Sequence, residues 1–133
     1  MDKKRTKNRR RQKRYQVGSG VFVVLDPAGH SFKLGTMIDI SKGGLALQYM
    51  DVIEATSTYS ELDIFVSGHG VLIWRLPFTV VSQTAFQEPN PFYSFISRRM
   101  GVKFDALSDA KYAKLSSFIQ TYSIPEAFPD NPA

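Results

Sequence analysis

The sequence predicts a mainly β fold: a small antiparallel β-barrel of six to seven strands, capped by a C-terminal α-helix and preceded by a flexible basic arm. Three observations carry this. Apolar residues alternate with polar ones in short runs between residues 15 and 104. Turn-forming Gly, Pro, Asp and Asn clusters punctuate those runs. After Ser108 the apolar spacing switches to a helical one. Closing the sheet removes exposed edges, and a helix can cover one mouth.

Tyr15 and Val17 followed by Val21–Leu25 read as one long first strand, bent or bulged at Gly18 and Gly20. Asp26-Pro27-Ala28-Gly29 is a turn, since proline presets φ and glycine accepts positive φ. Phe32, Leu34, Met37, Ile38 and Ile40 form a second strand, closed by the polar turn Ser41-Lys42-Gly43-Gly44. Leu45, Leu47 and Tyr49 mark a third, and residues 51–60 read as a loop. Leu62, Ile64 and Val66 form a fourth strand, and Ser67-Gly68-His69-Gly70 a hairpin turn. Val71 to Leu76 and then Phe78 to Val81 continue the extended pattern past Pro77. Glu88-Pro89-Asn90-Pro91 turns the chain into a last stretch from Tyr93 to Phe104. Ser108 is the expected N-cap of a helix over about 108–122, with Asp109 in its first turn and Tyr112, Leu115, Phe118 and Ile119 on one face. Residues 125–133 are a proline-rich tail.

Composition narrows the function. The 133 residues are 43% hydrophobic and 22% charged, enough apolar material for one modest core over residues 15–124. There is no cysteine, which excludes disulfides, thiolate metal sites and a cysteine nucleophile. Two histidines make a multi-histidine metal centre a poor expectation. His30 and His69 both lie in glycine-containing turns and read as surface residues. No apolar run approaches the ~20 residues that cross a bilayer, and no secretory signal pattern opens the chain. A cytoplasmic location is expected.

The net charge of +5 is unevenly placed. Residues 1–14 carry nine Lys or Arg against Asp2 alone, a net of +8, so the remainder carries −3. A like-charged stretch without apolar residues cannot bury anything and is expected to be mobile until it meets a polyanion.

Two local patterns rise above this background. Arg10-Arg11-Gln12-Lys13-Arg14 places Arg10 and Arg14 four apart directly before the first strand. Asp39-Ile40-Ser41-Lys42-Gly43-Gly44 reads D-x-S-x-x-G at the end of the second. In this order, either side of one strand, they resemble the PilZ domain family, whose members bind the bacterial second messenger cyclic di-GMP. Val71-Leu72-Ile73-Trp74-Arg75, Met100-Gly101-Val102-Lys103-Phe104 and the closing helix extend the likeness over nearly the whole chain.

The resemblance implies that Arg10 and Arg14 form a strap, and that Asp39, Ser41, Gly43 and Gly44 form the barrel half of a cyclic di-GMP site. The chemistry fits. An arginine fork donates to a phosphate or to a guanine edge, and its flat face stacks on a purine. An ionised aspartate accepts from guanine N–H groups. A serine hydroxyl is a rotatable partner, and glycines allow positive φ or a close ligand approach. Asp39 and Ser41 also suit a plain turn that bonds its own backbone.

No Ser-His-Asp order, phosphate loop or metal-spaced acidic cluster is evident, so neither an enzyme nor a cofactor is expected. The expected ligand is cyclic di-GMP, and the expected output is a downstream protein partner, with motility, biofilm polymer secretion and virulence as the processes the likeness implies. The alternatives are a nucleic-acid-binding β-barrel, disfavoured by the acidic body, and a PilZ-like adaptor that binds no nucleotide. Membrane attachment through the arm lacks an apolar anchor. Trp74 and the ten phenylalanines are expected in the core, and Lys42, Arg98, Arg99 and Lys103 on the solvated surface.

Overall fold

The computed structural model describes residues 13–26, 32–52, 58–86 and 95–125. Arg10, His30, the turns at 27–29 and 88–91, Tyr93 and the tail after Pro125 lie outside them. Among the described residues six strands are present: β1 (Val21–Leu25), β2 (Lys33–Ile40), β3 (Gly44–Val52), β4 (Glu61–Val66), β5 (Gly70–Phe86) and β6 (Phe95–Phe104). One helix follows, α1 (Asp109–Tyr122). The strands close into a barrel in the order β1-β2-β3-β6-β5-β4, every neighbouring pair antiparallel.

The two-residue period builds this barrel. Val21, Val23 and Leu25 are buried while Phe22 and Val24 are only partly so. Leu45, Leu47 and Tyr49 on β3, Leu62, Ile64 and Val66 on β4, and Met100, Val102 and Phe104 on β6 complete the inner layer. Leu115, Phe118 and Ile119 of α1 join it. The cap is as expected: the Ser108 hydroxyl accepts from the Lys111 N–H at 3.2 Å, and Asp109 sits in the first turn.

Bulges depart from the simple alternation and re-aim side chains. In β2 the pairing with β3 shifts between Met37 and Asp39. Gly35 and Met37 point inward, yet the next buried residue is Ile40. Without the extra residue, Asp39 would share the inward phase of Met37. In β5, Trp74 and Arg75 together oppose Asp63 of β4, and Arg75 has a φ of 50°. The buried Asp63 carboxylate accepts from the Arg75 N–H at 2.7 Å. The Lys111 ammonium donates to the Arg75 carbonyl at 2.6 Å.

Several expectations are corrected. Tyr15 and Val17 do not extend β1. They make separate bridges, to Ile40 and to Ser123 beyond the helix. Trp74 is 56% exposed, because the bulge turns it out of the core, and Phe32 is also exposed. Tyr112 is exposed as well. The buried helix face continues instead toward Tyr122, which stacks on Phe118 at 5.1 Å. Asp51 belongs to β3, not to a loop, and is buried against Lys33 at 3.2 Å and Arg98 at 3.7 Å. Arg98 therefore faces the barrel mouth and not open solvent.

Candidate functional site

The corner where β2 turns into β3 is assembled by backbone first. The Ser41 N–H donates to the Gly44 carbonyl at 2.8 Å, closing a tight turn. The Ser41 hydroxyl accepts from the Gly43 N–H at 3.1 Å and lies 3.4 Å from the Gly44 carbonyl. Ser41 is buried, so its hydroxyl is engaged in holding the turn. The Gly43 carbonyl accepts from the Phe104 N–H at 2.8 Å, which ties the turn to the end of β6.

Gly44 is required by space and not by conformation. A Cβ there would stand 2.0 Å from the Val102 carbonyl oxygen, where no side chain fits. The positive-φ glycines among the described residues are Gly20, Gly68 and Gly70. Of the two reasons expected for a glycine here, positive φ does not apply to Gly44, and the close approach it permits is that of the β6 backbone.

The segment before β1 reaches this corner. Tyr15 exchanges backbone hydrogen bonds with Ile40, at 2.8 and 2.9 Å. That staple brings the preceding side chain over the barrel, and the Arg14 guanidinium Nη1 lies 3.1 Å from Asp39 Oδ1. The side chains are 51% and 24% exposed respectively. Lys13 sits over the Tyr15 ring at 5.5 Å and adds a second cation nearby. The other end of the segment is anchored too, since Val17 bridges Ser123 and the Ile124 N–H donates to the Gln16 carbonyl at 2.8 Å.

The structure therefore brings Arg14, Asp39, Ser41, Gly43 and Gly44 to one corner. Sequence reasoning did not find the Tyr15–Ile40 staple or the bulge that turns Asp39 outward. The adjacent apolar pair Met37-Ile38, which breaks the alternation of β2, is the signal that could have revealed the bulge.

A family model described as the PilZ domain matches residues 8–121. The chain belongs to the PilZ family. Comparison with curated proteins gives no match. Among solved structures, the PilZ domain of YcgR from Escherichia coli with c-di-GMP is similar at a TM-score of 0.65 and 16% identity, over 86% of this chain and 91% of that one. YcgR from Escherichia coli in complex with c-di-GMP is similar at 0.60 and 17%, over 85% of this chain and 45% of that one. The MrkH–c-di-GMP complex of K. pneumonia is similar at 0.58 and 14%, over 84% and 51%. The PilZ chain thus spans about half of those two longer proteins, and at these identities the likeness is one of fold. Among the described residues, no helix is long and apolar enough to cross a membrane.

Proposed function

We propose that this PilZ chain is a cyclic di-GMP receptor whose site is the β2–β3 corner, closed by residues 1–14 and read out by another protein. The observation that carries the reading is the 3.1 Å contact between Arg14 and Asp39. It sets Arg14 of the first motif beside Asp39 of the second. The ligand-bound PilZ structures named above support the choice of nucleotide.

In the free protein the pair satisfies itself. An exposed ion pair of this kind contributes about 0–1 kcal/mol, so a ligand can part it at small cost. Arg14 then donates to a phosphate or a guanine edge, and Arg10 closes as the second arginine of the strap. Asp39, released, accepts from guanine N1–H and N2–H. Ser41, Gly43 and Gly44 keep the corner rigid and low enough for the base to approach. Each arm residue that becomes ordered costs about 1–2 kcal/mol of backbone entropy, and each charge-assisted hydrogen bond offsets about 1.5–3 kcal/mol. The staples at Tyr15 and Val17 connect the strap to β2 and to the end of α1, which gives the ordered arm a firm base from which to meet a partner.

Isothermal titration with cyclic di-GMP, with cyclic di-AMP and GTP as controls, tests the reading. Saturable binding that favours the guanine dinucleotide is expected. Absence of binding to the parent protein would sink it.

A further inference from the structure

The outer face that carries the β2–β3 corner continues onto β6. In the register, Asp39 of β2 stands opposite Ala46 of β3, and Ala46 stands opposite Gly101 of β6. Lys103, two residues beyond Gly101, stands opposite Gly44. Val102 and Phe104 on either side of Lys103 are buried, so Lys103 points outward on the same face as Asp39, and it is exposed. Two strand spacings across and two residues along put the Asp39 and Lys103 Cα atoms roughly 12 Å apart. Gly44, Ala46 and Gly101, which lie between them, carry at most a methyl group. At Gly44 the β3 backbone comes so close that a Cβ would stand 3.2 Å from the Lys103 Cα. No long side chain therefore separates Lys103 from the corner.

The Lys103 charge is also unspent. Among the described residues it makes no ion pair or hydrogen bond, and Asp105, the next outward residue, accepts instead from the Thr79 hydroxyl at 2.9 Å. Arg99 provides a contrast on the same face of the same strand. Its neighbour on β3 is Gln48, an exposed side chain bonded to Ser97 at 2.9 Å, which stands between Arg99 and β2. Lys42 belongs to the turn between β2 and β3 and has no position on the sheet face.

We propose that Lys103 is a third cation of the cyclic di-GMP site, and that its ammonium meets the phosphate which the strap arginines leave uncovered. This rests on the reading of the corner as the site of that ligand, and adds to it a residue on the fixed barrel wall. Cyclic di-GMP carries two phosphodiester charges, and Asp39, once parted from Arg14, sets a further negative charge beside them. The strap brings its cations from one side. Lys103 brings one from the other, on a strand that is already ordered, so its backbone bears no ordering cost. An ammonium is a point charge that binds phosphate without demanding a planar partner. A contact to phosphate carries no information about the base.

Titration calorimetry with cyclic di-GMP on the parent and on single variants tests this. Lys103→Gln should weaken binding about fivefold, the scale of an exposed charge pair. It should also flatten the salt dependence of binding and leave the melting temperature unchanged. Lys103→Arg should bind like the parent. Arg99→Gln and Lys42→Gln remove the same charge and should stay within about twofold of the parent. In Lys103→Gln the preference over cyclic di-AMP should match that of the parent. Combined with Arg14→Ala, the two losses should multiply, as they do for contacts to separate phosphates. Undiminished affinity in Lys103→Gln would overturn the proposal. So would an equal loss in Arg99→Gln or Lys42→Gln, an altered base preference, or a double variant no weaker than Arg14→Ala alone. Each of those results leaves the receptor reading standing, whereas a parent protein that binds no cyclic di-GMP removes both.

Discussion

The two ends of the β2–β3 hairpin each hold an aspartate against a cation, and they use it differently. At the corner, Asp39 meets Arg14 with the arginine half exposed. At the opposite mouth, Asp51 is 4% exposed and lies between Lys33 and Arg98. Tyr49 adds to that mouth, packed edge-on against Tyr59 at 6.2 Å and accepting from the Gln83 amide at 3.3 Å. The open pair can part at small cost because water already shares its charges. The closed pair cannot, because removing one partner leaves charge in a poor solvent. Similar residue types thus make a loosely held contact at one end and a tightly held one at the other, and burial decides which.

The largest expected effect belongs to the closed end. Asp51→Ala should destabilise the barrel by roughly 3 kcal/mol, since Lys33 and Arg98 lose their shared carboxylate in a largely enclosed mouth. Urea unfolding measures this. A loss no greater than that of Asp39→Ala would erase the distinction between the two ends.

Next comes the open end, where the change should fall on affinity and hardly on stability. Arg14→Ala should weaken cyclic di-GMP binding about tenfold or more, the loss of one charge-assisted hydrogen bond, while shifting stability by less than about 1 kcal/mol. Titration calorimetry and thermal melts on the same sample separate the two. Undiminished affinity would remove the strap from the mechanism. Asp39→Ala should have a smaller effect on total affinity but relax the preference for guanine over adenine. Competition with cyclic di-AMP reads this, and an unchanged preference would mean that Asp39 does not contact the base.

The comparison also explains what the sequence reveals and what it hides. The strands are legible because Leu45, Leu47 and Tyr49, or Leu62, Ile64 and Val66, repeat every second residue against a fixed inner face. The corner is legible because its turn chemistry is local, within six consecutive residues. The closed end is not, because Lys33, Asp51 and Arg98 come from three strands, and the charge of each suggests solvent until the barrel closes around them. Trp74 misleads for a related reason. Its size predicts burial, but the bulge that ejects it depends on the pairing of Asp63 with the Arg75 backbone, a contact between two strands. The motif points to Gly44, while its steric cause, the carbonyl of Val102, lies in β6.

The smallest effect expected is a pH dependence confined to the closed end. Burial first, and then the neighbouring Tyr59, raise the Tyr49 phenol above its ordinary value of 10.0. Above that value the unfolded chain releases a proton that the native state still holds. Stability contributed at lower pH is therefore lost as pH climbs through the native pKa. Tyr49→Phe cannot ionise. It should cost about 1 kcal/mol near neutrality through the lost Gln83 contact, and then decline less steeply than the parent between about pH 9 and about pH 11. Arg14→Ala, at the open end, should retain the parent slope. Urea midpoints across that range compare the three proteins. If Tyr49→Phe falls as steeply as the parent, alkaline loss originates elsewhere and the enclosed character of the mouth does not govern the tyrosine's ionisation.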